Sequence, residues 1–168
     1  MRRPEPKAVE RLLEPDRILV SKTDKRGRIT YGNKKFIEIS GYSEEELLGA
    51  PHSIIRHPDM PKAVFKLLWD GIQSGEEINA YVKNLAKDGS FYWVYATVTP
   101  SFDSVSGEII GYFSVRRAPD PAKVAKVTPL YRALLDAERG GGLAASEKLL
   151  VDILEKEGVS YDEFIHSL

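Results

Sequence analysis

Asp24-Lys25-Arg26-Gly27-Arg28-Ile29-Thr30-Tyr31-Gly32-Asn33 and, after a short apolar stretch, Ile39-Ser40-Gly41-Tyr42-Ser43-Glu44-Glu45-Glu46-Leu47-Leu48-Gly49 are the segments on which the fold turns. Asp24 to Gly27 has the composition of a tight turn. The apolar run Ile18 to Thr23 precedes it and the alternating run Arg28 to Tyr31 follows it, so the three together read as a β-hairpin. Asn33 stands where it can cap a short helix that turns Phe36 and Ile39 inward and stops at Gly41. Ser43 with Glu46 then forms a capping box that opens a second short helix, ending at Gly49.

Downstream, Pro51 to Pro61 holds too much proline for regular structure, and Pro61 is placed to start a longer helix that runs to Gly75. That helix carries one apolar stripe of Val64, Leu67, Leu68 and Ile72. A second stripe, Phe65 and Trp69, predicts burial of more than one face. Three strand-like runs follow, Ile78 to Ala86, Phe91 to Thr99 and Glu108 to Arg117, separated by turn-rich segments. They predict an antiparallel meander. Hairpin, helices and meander together define an α+β class: a five-stranded antiparallel sheet with helices on one side, spanning residues 18–117.

The flanks differ in character. Residues 1–17 alternate proline with charge around a Val9, Leu12, Leu13 stripe and predict an N-terminal cap, either a flexible arm or one amphipathic turn. Residues 118–139 predict a linker helix in which Pro129 forces a kink or a restart. Gly140-Gly141-Gly142 reads as a hinge. Residues 140–168 form a helical C-terminal tail, acidic in charge and capped at Ser160 by the spacing to Glu163. The hinge predicts that this tail changes position and can carry a signal outward.

Composition excludes several function classes. With 24 Lys and Arg against 25 Asp and Glu, the chain has no charge bias toward polyanions, and nucleic acid is excluded as an expected partner. Its apolar runs are too short to insert in a bilayer, and the arginines at the start have no apolar run behind them, so the expected location is cytoplasmic. The absence of cysteine removes thiolate catalysis, cysteine metal sites and any cysteinyl flavin adduct. His52, His57 and His166 lack metal-ligand spacing. No nucleophile–base pair, glycine-rich phosphate loop or catalytic carboxylate pair is recognisable, so an enzyme is not expected.

The pattern Asp24-x-x-Gly27-x-Ile29-x-Tyr31-x-Asn33 with Ile39-Ser40-Gly41-Tyr42-Ser43-x-x-Glu46-Leu47-x-Gly49 resembles the PAS sensory domain. Lys87-Asp88-Gly89-Ser90-Phe91-Tyr92-Trp93-Val94 and Gly107 to Tyr112 are similar to the last hairpins of its sheet. Within that family, Arg56-His57-Pro58-Asp59-Met60-Pro61, Trp69, Val82-Lys83-Asn84 and Tyr92-Trp93-Val94 resemble the flavin-binding PAS domain of bacterial aerotaxis receptors. The resemblance implies a stand-alone redox-sensing module. Such a module holds FAD non-covalently and signals to a separate, membrane-bound chemotaxis transducer, with a homodimer as a further possibility. It also implies that Asn33, Arg56, His57, Asp59, Trp69 and Asn84 line or support the FAD pocket. Glu77-Ile78-Asn79-Ala80 departs from the Pro-Trp-Ser-Gly-like segment usual at that point.

The chemistry of these residues accords with that implication and leaves other roles open. An isoalloxazine needs flat apolar walls, which Trp69 can supply, and amide or cationic groups at its polar edge, which Asn84, Arg56 and His57 can supply. Trp69 can equally be ordinary core, Asp59 the cap of the helix behind it, and Asn33 a cap. A haem ligated by His57, or a cofactor-free PAS domain that serves as a dimerisation or docking platform, are the alternative readings.

Overall fold

A computed structural model of the chain describes residues 2–168. The hairpin forms as β1 (Ile18–Asp24) and β2 (Ile29–Gly32), and the meander as β3 (Ile78–Leu85), β4 (Phe91–Phe102) and β5 (Ile109–Arg117). The two units join because β5 pairs antiparallel with β1 along its whole length, giving the strand order β2-β1-β5-β4-β3. β4 runs farther than its apolar pattern predicts, through Pro100, which lies past the end of β3 where one side of β4 has no ladder to complete.

α1 (Lys34–Ser40) starts at Asn33, whose side chain accepts from the Phe36 N–H, and ends at Gly41 in the left-handed region that this stop requires. The capping box at Ser43 and Glu46 forms both of its bonds and opens α2 (Glu44–Leu47). A single 3₁₀ turn (His52–Ile55) leads to α3 (Lys62–Gln73). Pro61 is the cap of α3 rather than its first residue, and it brings no side-chain hydrogen bond. On the sheet, side chains alternate: Ala80, Val82 and Asn84 of β3, Ala96 and Val98 of β4, and Tyr112, Ser114 and Arg116 of β5 share the face that α3 covers.

The N-terminal cap is extended rather than helical. Residues 7–11 run beside the turn before β4, with Lys7 N–H bonded to the Gly89 carbonyl, Arg11 N–H to that of Phe91, and a parallel bridge from Glu10 to Phe91. Of the predicted stripe only Leu13 is buried, and Val9 and Leu12 face solvent.

The C-terminal region departs most from expectation. α4 (Pro121–Glu157) passes through Pro129 without leaving helical geometry; the neighbouring Thr128 hydroxyl donates to the Val124 carbonyl. The break falls at Gly142 instead, at φ 72° and ψ −167°, a conformation open in practice only to glycine. The first arm, residues 121–141, packs on the opposite face of the sheet, α5 (Tyr161–Ser167) runs along the β3 edge, and the second arm, residues 143–157, meets α3 through Glu147 and Lys66. Tyr131 of the first arm stacks on Trp93 and its hydroxyl donates to the Tyr81 carbonyl. Val127, Tyr131, Leu134, Leu150, Leu154, Tyr161 and Ile165 belong to the same buried cluster as Leu19 and Val94, so the tail is built into the core. Along the outer edge of β3, Asn79 N–H meets the Asp162 carboxylate, Lys83 N–H the Met60 sulfur, and Asn84 bridges to Arg56.

Candidate functional site

Between α3 and the sheet lies a cavity of about 230 Å³. Phe65, Leu68, Trp69 and Ile72 wall it from the helix side at spacing i, i+3, i+4 and i+7, so the predicted second stripe and part of the first form one face turned to the cavity. Trp69 is only partly buried. Its ring lies 5.4 Å from that of Tyr112 and close over Gly27, which places it at the rim. The sheet supplies small or apolar side chains opposite, Ala80, Val82, Ala96 and Val98.

Onto this apolar chamber project donors without protein partners. Asn84 is 3% exposed and its Nδ2 has no acceptor; the same holds for Nε of Arg56 and for Nε and Nη1 of Arg116. Buried donors left unmade are costly, and satisfied ones are the rule, so four such atoms around one cavity define a site that expects an acceptor-rich ligand edge. Arg116 is 2% exposed, held with its guanidinium 4.5 Å from the Phe36 ring, and burial lowers its pKa to about 10, which leaves it cationic at neutral pH. Its Nη2 bonds Ser21 Oγ at 2.6 Å, and Ser21 Oγ in turn lies 2.9 Å from His52 Nε2. Burial, and then the nearby Arg116 charge, bring the His52 pKa down to about 3, so this imidazole is neutral. Arg56 stacks its guanidinium 3.9 Å over Phe65, and burial lowers its pKa.

The structure thus brings together three of the six residues carried over by resemblance, Arg56, Trp69 and Asn84. It does not bring the other three to the cavity. Asn33 spends its carbonyl oxygen on Phe36 and Val20 N–H and its amide on the Ile18 carbonyl, because the α1 start and β1 both need it. His57 is buried outside the cavity wall, its Nδ1 accepting from Asp59 N–H and its ring edge against Phe91; burial and the Lys83 ammonium bring its pKa to about 4. Asp59 bonds Lys83 Nζ at 2.9 Å in solvent and does not cap α3. Sequence reading missed Arg116, Ser21 and His52. The signal was there in β5: Tyr112, Ser114 and Arg116 share strand parity, so an arginine lay on the inward face.

An antiparallel sheet with α1 to α3 over one face and a cavity between the layers is the build of a ligand-holding domain. The chain belongs to the PAS family: residues 29–115 match the family model described as PAS fold. It is 43% identical over 122 residues to the aerotaxis receptor of Escherichia coli K12, a match that covers 73% of this chain and 24% of the receptor, so the chain spans about a quarter of that relative. Among solved structures, the light state of the blue-light photoreceptor Aureochrome1 LOV aligns with a TM-score of 0.58 at 25% identity, covering 68% of this chain and 91% of that one. A light-oxygen-voltage domain studied with a flavin analogue aligns with a TM-score of 0.55 at 24% identity, over 73% of this chain and 87% of the other. Among the described residues no helix is long and apolar enough to cross a membrane.

Proposed function

We propose that this PAS domain is a redox-sensing input module that holds FAD non-covalently between α3 and the sheet and signals to a membrane-bound chemotaxis transducer. The observation that carries the reading is the set of unpartnered donors, Arg116 Nε and Nη1, Asn84 Nδ2 and Arg56 Nε, on a mainly apolar chamber. A flat apolar plate with carbonyl oxygens and ring nitrogens on one edge satisfies both halves of that description. Bound flavin supplies reversible electron transfer. The chain's own residues bind and tune: Trp69, Phe65 and Leu68 cover the ring face, Asn84 donates to its polar edge, and the Arg116 cation favours negative charge placed beside it. A haem iron gains no support from the arrangement, since His57 points elsewhere and His52 Nε2 is engaged by Ser21.

At about 230 Å³ the chamber lies below the roughly 300–1,000 Å³ common for ligand pockets. It would take a ring system rather than a whole dinucleotide. The transducer as partner is supported by the 43% identity to an aerotaxis receptor over a quarter of its length. The test is the absorption spectrum of the purified protein, with the released chromophore weighed by mass spectrometry. Flavin bands and the mass of FAD are expected. A colourless protein that takes up no FAD on incubation overturns the reading in favour of a cofactor-free docking module.

A further inference from the structure

α3 begins without a cap of its own. Pro61 offers no side-chain acceptor, and Asp59, the acid nearest in sequence, is bonded to Lys83. The missing acceptor comes from Glu138, 76 residues away, whose two carboxylate oxygens lie 3.1 and 2.9 Å from Lys62 N. The same Oε2 accepts from the hydroxyl of Ser146, which is 0% exposed, at 3.0 Å. Glu138 and Ser146 stand on the two sides of Gly142, so one carboxylate ties the cavity helix to both arms of α4 across the break. Lys66 adds a second tie, to Asp70 at 2.7 Å within α3 and to Glu147 at 3.2 Å on the second arm.

We infer that Glu138 is a positioning residue through which the flavin pocket and the C-terminal helices are coupled. The inference rests on the flavin reading for the identity of the ligand and on geometry for the coupling. α3 carries four walls of the cavity, and Phe65 sits one turn from the Lys62 N–H that Glu138 holds. A shift of α3 along or about its axis therefore pulls on the Glu138 carboxylate, and through it on Ser146. Gly142, out of helical geometry and with nothing within 4 Å of where a Cβ would stand, lets the second arm answer by rotation instead of resisting as a continuous helix would. Coupling of this kind is reciprocal: whatever loosens the tie changes ligand affinity, and ligand binding changes the hold on the second arm.

Backbone hydrogen exchange on the full chain tests it, with and without added FAD, for wild type, Glu138→Ala and Glu138→Gln. Without FAD, Glu138→Ala is expected to speed exchange about fivefold at residues 62–65, the effect of losing a helix cap, and to speed it also at residues 146–154. Glu138→Gln, which keeps an acceptor, restores most of the protection. With FAD, wild type gains protection at residues 146–154, Glu138→Ala gains it only around the cavity, and the affinity for FAD drops about fivefold in that variant. Faster exchange confined to residues 62–65 in Glu138→Ala, or a tail response to FAD that survives the substitution, overturns the coupling. FAD without effect on any wild-type segment overturns the flavin reading instead, and the FAD-free comparison still decides whether Glu138 links the two elements.

Discussion

Arg116 Nη2 donates to Ser21 Oγ at 2.6 Å, and this bond holds the guanidinium against β1. A guanidinium only donates, so the single Ser21 proton is free to go to His52 Nε2, 2.9 Å away. The relay leaves Arg116 oriented and charged while its Nε and Nη1 remain available to the cavity.

Replacing Arg116 separates its ligand role from a structural one. Arg116→Met removes a buried, half-satisfied charge, so the flavin-free protein is expected to melt at the same temperature or higher. Affinity for FAD is expected to fall about ten- to a hundredfold, the equivalent of a charged hydrogen bond of ~1.5–3 kcal/mol, and the reduction potential to become more negative. Titration calorimetry and spectroelectrochemistry check the two effects. An unstable apo protein with unchanged affinity would assign Arg116 to the fold alone.

Acid should destabilise the protein earlier than carboxylate titration requires. His52 and His57 have folded pKa values of about 3 and about 4, below the 6.5 of an unfolded histidine. The unfolded chain therefore binds protons that the folded one refuses, and stability present above pH 6.5 is lost as pH falls toward 4, at up to about 1.4 kcal/mol per pH unit for each group. Thermal melts between pH 7 and 4.5 should show this slope. His52→Gln and His57→Gln should each flatten it, and equal slopes in wild type and both variants would show that neither ring is held neutral.

Trp69→Ala and Asn84→Ala should each lower flavin occupancy while the domain still folds. Trp69 sits at the rim and is only partly buried, so its loss should cost less than the ~3–5 kcal/mol of a fully buried tryptophan. Asn84→Ala removes an unpaired amide and should leave apo stability little changed. Circular dichroism reports the fold and the flavin-to-protein absorbance ratio reports the occupancy; full occupancy in both variants contradicts the pocket assignment.

Blue light in the absence of an electron donor should produce no thiol adduct, because the chain contains no cysteine to form one. The spectrum of flavin-loaded protein is expected to show no reversible adduct band under illumination; such a band would contradict non-covalent redox cycling.

Truncation before Gly140 should be severe rather than silent. Leu150, Leu154, Tyr161 and Ile165 are all within 9% exposure and pack in the main core. At ~1.5–3 kcal/mol for each buried apolar side chain, their loss rivals the whole stability of a small domain, ~5–15 kcal/mol. A soluble, cooperatively melting fragment 1–139 would show that the tail is dispensable.

The turn at Asp24 to Gly27, the caps at Asn33 and Ser43 and the strand alternation were readable because each is local, a matter of a few residues and one backbone preference. The site was only half legible. Trp69 and Asn84 stood out as aromatic and amide side chains inside regular elements, but Arg116 was hidden by its position at a strand end, where an arginine usually faces water. Asn33 and Asp59 were read as cofactor contacts by resemblance, and the structure gives their polar atoms to neighbours within the fold. The Glu138 cap on α3 could not be read at all, since nothing in the local sequence reports a carboxylate that arrives from 76 residues away.

The dressed edge of β3 has a consequence for what the protein cannot join. Asp162 on the Asn79 amide, Tyr131 on the Tyr81 carbonyl, Met60 on the Lys83 amide and Arg56 beside Asn84 engage main-chain groups that an incoming strand would need. Two of those four come from the C-terminal helices. Strip them away and β3 becomes a template for open-ended self-assembly, a hazard of bare strand edges. With them in place, other molecules meet this end of the sheet through side chains, and recognition there is a matter of surface chemistry, not of backbone zippering.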